Sequence, residues 1–165
     1  MRVYIAGSLR NVSGLEAVFT AVRNAGHEIT FDYRRGGATP ETLFGLDHRN
    51  LAPADHIAAL ARPAACAKFK LDRDGIDRAD VLVLVKPCGE SAIWEAGYAA
   101  GADKPVIVLL DEKPAPGELM QKFGTSIVTS IPEMLAELTT IAADVAGTIG
   151  AITTTEDVIT TTTKM

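Results

Sequence analysis

Short strand-like runs alternate along this chain with segments whose apolar residues fall at helical spacing. The most apolar runs are VLVLV at 81–85 and VIVLL at 106–110, and neither shows the polar alternation of a half-buried strand. Unbroken runs of this kind belong to parallel sheets covered by helices on both faces. The pattern predicts strands at 2–6, 27–31, 81–85, 106–110 and 126–129, and helices at 13–24, 67–78, 91–101 and 132–145. Gly26 closes the first of these helices, Ser91 opens the third, and Pro132 sits in the first turn of the last. The alternation implies an α/β fold, a doubly wound open parallel sheet of about five strands in the order 2-1-3-4-5, flavodoxin-like or Rossmann-like. Ligands in such sheets bind at the carboxyl ends of the strands.

Two stretches depart from this rhythm. Residues 32–70 hold Gly36, Gly37, Pro40 and Pro53, with helical patches at 41–50 and 54–61, and so long an excursion suggests a lid or a substrate contact. From Gly147 the composition turns to small residues and threonine, and the expected division is a domain at 1–146 and a mobile tail at 147–165. Threonine favours strands, which leaves open a partner chain that orders the tail.

Composition narrows the classes of function. The chain has 165 residues, 47% hydrophobic and 22% charged, enough for one domain with a sizeable core. Its net charge of −5 gives no basic field for nucleic acid. Cys66 and Cys88 make no disulfide framework, and with His27, His48 and His56 they show no metal-ligand spacing. Neither a signal peptide nor a membrane-crossing run is apparent, and the expected location is the cytoplasm.

The candidate chemistry centres on Glu95, at the start of the helix that follows the strand at 81–85. In a first turn, the helix dipole and free N–H groups hold a carboxylate ionised at a lowered pKa, and simple helix stabilisation is one explanation. With Ser91 as the N-cap, however, a capping-box acid belongs at Trp94, so Glu95 faces elsewhere. A carboxylate at the mouth of a sheet is suited to attack an anomeric carbon or to stabilise an oxocarbenium ion, given a second carboxyl group nearby. Asp72 is the best second candidate. Trp94 is expected in the core beneath the helix rather than stacked on a base, and Asp74 and Asp77 are expected at the solvent face.

These residues carry a family resemblance. Asp72, Gly75, Ile76 and Asp80, the strand, then Glu95, Gly97, Tyr98, Ala99 and the run from Lys104 to Val108 resemble the signature of the nucleoside 2-deoxyribosyltransferase superfamily. The opening Tyr4, Ile5, Ala6, Gly7, Ser8 is similar to that family's first strand and loop, and the likeness spans most of residues 1–111. It implies Glu95 as nucleophile or oxocarbenium stabiliser, Asp72 as the residue that orients or protonates the base, and Tyr4 as a hydrogen-bond partner of the glutamate. A core tyrosine with a satisfied hydroxyl is the alternative for Tyr4. The resemblance calls for no metal and no cofactor, and it implies a homodimer or larger assembly.

Within the superfamily, transferases carry an acid six positions before the glutamate, where this chain has Gly89. Gly7-Ser8-Leu9-Arg10 resembles instead the Gly-Ser-Ile-Arg loop of nucleoside 5′-phosphate N-hydrolases, and Asn11 completes the loop. Ser8, Arg10 and Ser91, with backbone N–H groups of the turn at Gly89, would then cradle a phosphate monoester. Plain helix capping is the other explanation for Ser8 and Ser91. The hydrolase serine stands six positions before its glutamate, whereas Ser91 stands four before Glu95. The expected activity is hydrolysis of the N-glycosidic bond of a nucleoside 5′-monophosphate. A base-exchanging transferase and a non-catalytic nucleotide-sensing module are the alternatives.

Overall fold

A computed structural model describes residues 1–33, 42–43, 50–110 and 118–161, with side chains through residue 146. The five parallel strands are β1 (Arg2–Ala6), β2 (Glu28–Ile29), β3 (Val81–Val85), β4 (Val106–Leu109) and β5 (Ser126–Val128), in the sheet order β2-β1-β3-β4-β5. The helices among the described residues are α1 (Val12–Asn24), α2 (Pro53–Leu60), α3 (Pro63–Arg78), α4 (Glu90–Gly101) and α5 (Ile131–Thr161), with a 3-10 turn at Leu119–Phe123. The expected topology and strand order are the observed ones.

The register sets Val3 beside Val81 and Tyr4 beside Leu82, so successive side chains of β1 supply opposite faces of the sheet. Val3 and Ile5 join Val81, Val83, Phe19, Met134 and Leu138 in the core beneath α1 and α5. Tyr4 and Ala6 join Leu82, Leu84, Ile76, Ala92, Ala96 and Ala99 beneath α3 and α4. The second core is lined by small residues on its helix side, and small side chains let a helix lie close to a sheet.

Several boundaries differ from expectation, each for a local reason. Asn11, not the following residues, caps α1: its Oδ1 accepts the Gly14 N–H at 3.2 Å. Pro53 and Pro63 stand at the first positions of α2 and α3, where a missing N–H costs no hydrogen bond, so both helices start earlier than their apolar pattern suggested. Gly89 is the N-cap of α4, and Ser91 is therefore inside the helix rather than opening it. The last helix does not stop near residue 145 but runs to Thr161. Leu138, Ile141, Val145, Ile149 and Ile152 keep a helical spacing of three and four across the boundary, which the threonine content obscured. The expected helical patch at 41–50 lies outside the described residues, apart from Thr42 and Leu43, which are helical, and Asn50.

Candidate active site

Strand order reverses between β1 and β3, and the loops leaving their carboxyl ends flank the crevice where ligands of open α/β sheets bind. Asn11 ties the two loops together, its Nδ2 donating to the Lys86 carbonyl at 3.3 Å while its Oδ1 caps α1. Gly7 stands in the first loop against Leu15, where an added Cβ would come within 2.5 Å of Leu15 Cδ2.

Helical spacing delivers the acids to this crevice. On α4 the stripe 92, 95, 96, 99 faces the sheet, and Ala92, Ala96 and Ala99 are buried along it, so Glu95 is carried inward with them. On α3 the stripe 65, 68, 72, 75, 76, 79 does the same for Asp72. Gly75 is what allows the approach: a Cβ there would sit 2.9 Å from Phe31 Cβ and 3.0 Å from Tyr4 Cε2. One missing methyl therefore brings α3, and Asp72 with it, down onto Tyr4.

Tyr4, Asp72 and Glu95 consequently interact. The Tyr4 hydroxyl and the Glu95 carboxyl group are near enough to influence each other, and both groups feel the charge of Asp72. Tyr4 is only 2% exposed, and its ring stacks on Phe31 with centroids 6.3 Å apart. Tyr4 is thus a core aromatic whose hydroxyl end adjoins Glu95. Burial raises the Tyr4 hydroxyl above its usual range, and the charges of Glu95 and Asp72 act in the same direction.

Glu95 departs from expectation in one respect. With Gly89 as the cap it is the sixth residue of α4, beyond the first turn whose free N–H groups would hold it ionised. Burial, then the neighbouring Asp72, push its carboxyl up to about 7, against smaller opposing effects of Lys68 and the Tyr4 hydroxyl. A lowered pKa is thus replaced by a raised one, which makes Glu95 a group able to gain and lose a proton near neutrality.

The remaining candidates lie on the loop after β1 and at the start of α4. Ser8 accepts the Arg10 N–H on its Oγ at 3.2 Å and the Asn11 N–H on its carbonyl at 2.8 Å, which shapes the loop. The Arg10 side chain is exposed on that loop. Ser91, exposed, is the second residue of α4, and an added Cβ on Gly89 would meet no atom within 4 Å. Trp94 is neither core nor stacked over the acids but 78% exposed on the outer face of α4, a correction that follows from its place one residue off the buried stripe. Asp77 is exposed, as expected, and it accepts from the Tyr98 hydroxyl at 2.8 Å. Asp32 and Tyr33 are turned to α1, pairing with Arg23 at 2.7 Å and Glu16 at 3.1 Å.

Sequence reasoning missed three neighbours of the acids. Lys68 pairs with Asp72 from one turn earlier on α3, a position that i, i+4 spacing marks. Phe31 follows β2 and packs under Tyr4. Cys88 lies in the turn before α4; burial pushes its thiol up, Lys86 opposes that, and Glu118 and Glu95 reinforce it.

No family model matches the sequence, and no curated protein matches it. Among solved structures the chain is similar to a CMP N-glycosidase, BcmB, from Clostridium botulinum, at 20% identity over 84% of this chain and 97% of that one, with a TM-score of 0.50. It is also similar to a 2-deoxyribosyltransferase from the psychrotolerant bacterium Bacillus psychrosaccharolyticus, at 19% identity over 82% of this chain and 90% of that one, with a TM-score of 0.55. The chain therefore shares the fold of these two structures. No described helix is long and apolar enough to cross a membrane.

Proposed function

We propose that this protein is a hydrolase that cleaves the N-glycosidic bond of a nucleoside or deoxynucleoside 5′-monophosphate, releasing free base and sugar 5-phosphate. The observation that carries this reading is the convergence of Glu95, Asp72 and Tyr4 at the reversal point of the sheet. In the proposed mechanism Glu95, as the carboxylate, traps or stabilises the anomeric centre while the bond to the base lengthens. Tyr4 orients that carboxylate, and Asp72 assists the departing base. Ser8, Arg10 and Ser91, with the N–H groups at Gly89 and the loop of Gly7 and Asn11, hold the phosphate. Water then releases the sugar phosphate from Glu95.

A homodimer belongs to the same proposal. Ile93, Trp94 and Tyr98 stand exposed along the outside of α4, an apolar face adjoining the acids, and a second copy is the proposed cover.

Chromatography of ribo- and deoxyribonucleotides incubated with the protein is the test. Release of base by the wild type and its loss in Glu95→Gln are expected; equal activity in the variant would remove the role given to Glu95. The transferase is the second reading, favoured by the likeness to the deoxyribosyltransferase. It predicts an exchanged nucleoside when a second free base is added. Binding of nucleotide without release of base would point instead to a sensing module.

A further inference from the structure

Lys68 has no role in the mechanism above, yet it is built into the site. Its side chain is 21% exposed and that of its ion-pair partner Asp72 is 17% exposed. Its Nζ also lies 4.8 Å from the centroid of the Phe31 ring, the ring that stacks on Tyr4. The ammonium is thereby held by a carboxylate and by an aromatic face at once, which fixes a side chain that would otherwise sample many rotamers. Exposed ion pairs contribute little, but one packed against the sheet side of a helix acts at lower dielectric and with a defined geometry.

We propose that Lys68 is a positioning residue of the acid pair, pinning Asp72 in place against Phe31 and supplying the positive charge that offsets the two neighbouring carboxyl groups, Asp72 and Glu95. The groups that face Glu95 are Tyr4 from β1, Asp72 and Lys68 from α3, and Cys88 from the turn before α4, and among these Lys68 brings the positive charge. Burial and Asp72 drive the Glu95 carboxyl upward, and Lys68 pulls it back. Without the ammonium, Glu95 is left beside Asp72 with no counter-charge, and its carboxyl takes up a proton at higher pH. The consequence for catalysis rests on the proposed function; the consequence for titration does not.

The test titrates protein carrying 13C at glutamate carboxyl carbons by NMR, with Glu95→Gln to identify the signal, in wild type, Lys68→Met, Lys68→Gln and Lys68→Arg. The Glu95 midpoint is expected to rise by about one pH unit in Lys68→Met and Lys68→Gln, and to stay near the wild-type value in Lys68→Arg. The acid limb of the kcat/KM profile is expected to move with it. An unchanged midpoint in the folded neutral variants, or an equal shift in Lys68→Arg, overturns the role of Lys68. Failure to cleave any nucleotide would overturn the proposed function while the titration still reads the pair. Two neutral substitutions keep the test available should one of them unfold, as checked by circular dichroism.

Discussion

Glu95 sets the pH behaviour of this molecule in two opposite ways. Its carboxyl titrates near 7 in the folded chain and near the ordinary 4.5 when unfolded. Between those values the folded chain keeps a proton that the unfolded chain releases, so the contribution of Glu95 to stability falls as pH rises from about 4.5 to about 7 and is level above. Glu95→Gln is therefore expected to stabilise the protein by about 1–3 kcal/mol at pH 8 and by nothing at pH 4, as read by urea unfolding. Activity runs the other way: a reaction that needs the carboxylate gains tenfold per unit of pH below about 7 and then levels off. Tyr4→Phe deletes the hydroxyl that favours the carboxylate, and the acid limb of kcat/KM is expected to shift upward, lowering the rate at pH 7 about three- to tenfold.

Among the elements, α3 and the first loop hold the geometry. Gly75→Ala forces a methyl against Phe31 and Tyr4, expected to cost about 1–3 kcal/mol in unfolding experiments and to lower kcat more than stability alone explains, since Asp72 is displaced with the helix. Asn11→Ala removes the cap of α1 and the tie to Lys86, with an expected loss of about 1 kcal/mol. This scale also marks how far the sequence could be read. Unbroken apolar runs identify β3 and β4 because full burial demands them, and the strand order follows from connection rules. The acids were legible as candidates through spacing and motif. The start of α4 was not, because Gly89 and Ser91 are both acceptable caps and only the fold chooses between them. That one choice moves Glu95 out of the first turn, and burial and Asp72 then raise its carboxyl rather than lower it. Lys68 and Phe31 were invisible for a different reason: a cation on a ring is a tertiary contact between α3 and the end of β2, which no local pattern encodes.

For the whole molecule, the sheet separates two kinds of work. The face beneath α1 and α5 is packed with large side chains such as Phe19, Met134 and Leu138, and it supplies cohesion. The face beneath α3 and α4 uses alanine and glycine, and the space so gained holds the ionisable groups. The outer side of α4 then remains apolar. Trp94→Lys is expected to leave the fold intact by circular dichroism and to reduce the sedimentation coefficient from that of a dimer to that of a monomer.

Gly97 lies on α4 between Trp94 and Tyr98, and a methyl added there would touch nothing within 4 Å. A glycine inside a helix weakens it by about 1 kcal/mol relative to alanine, and no neighbour in the single subunit offsets that loss. Isolated from any companion, Gly97→Ala should melt at a higher temperature than the natural chain. A flat spot on a helix at the expense of its own rigidity makes sense if another backbone rests there, and an alanine that strengthens the lone subunit while loosening an assembled pair would support a proposed contact between copies at this face.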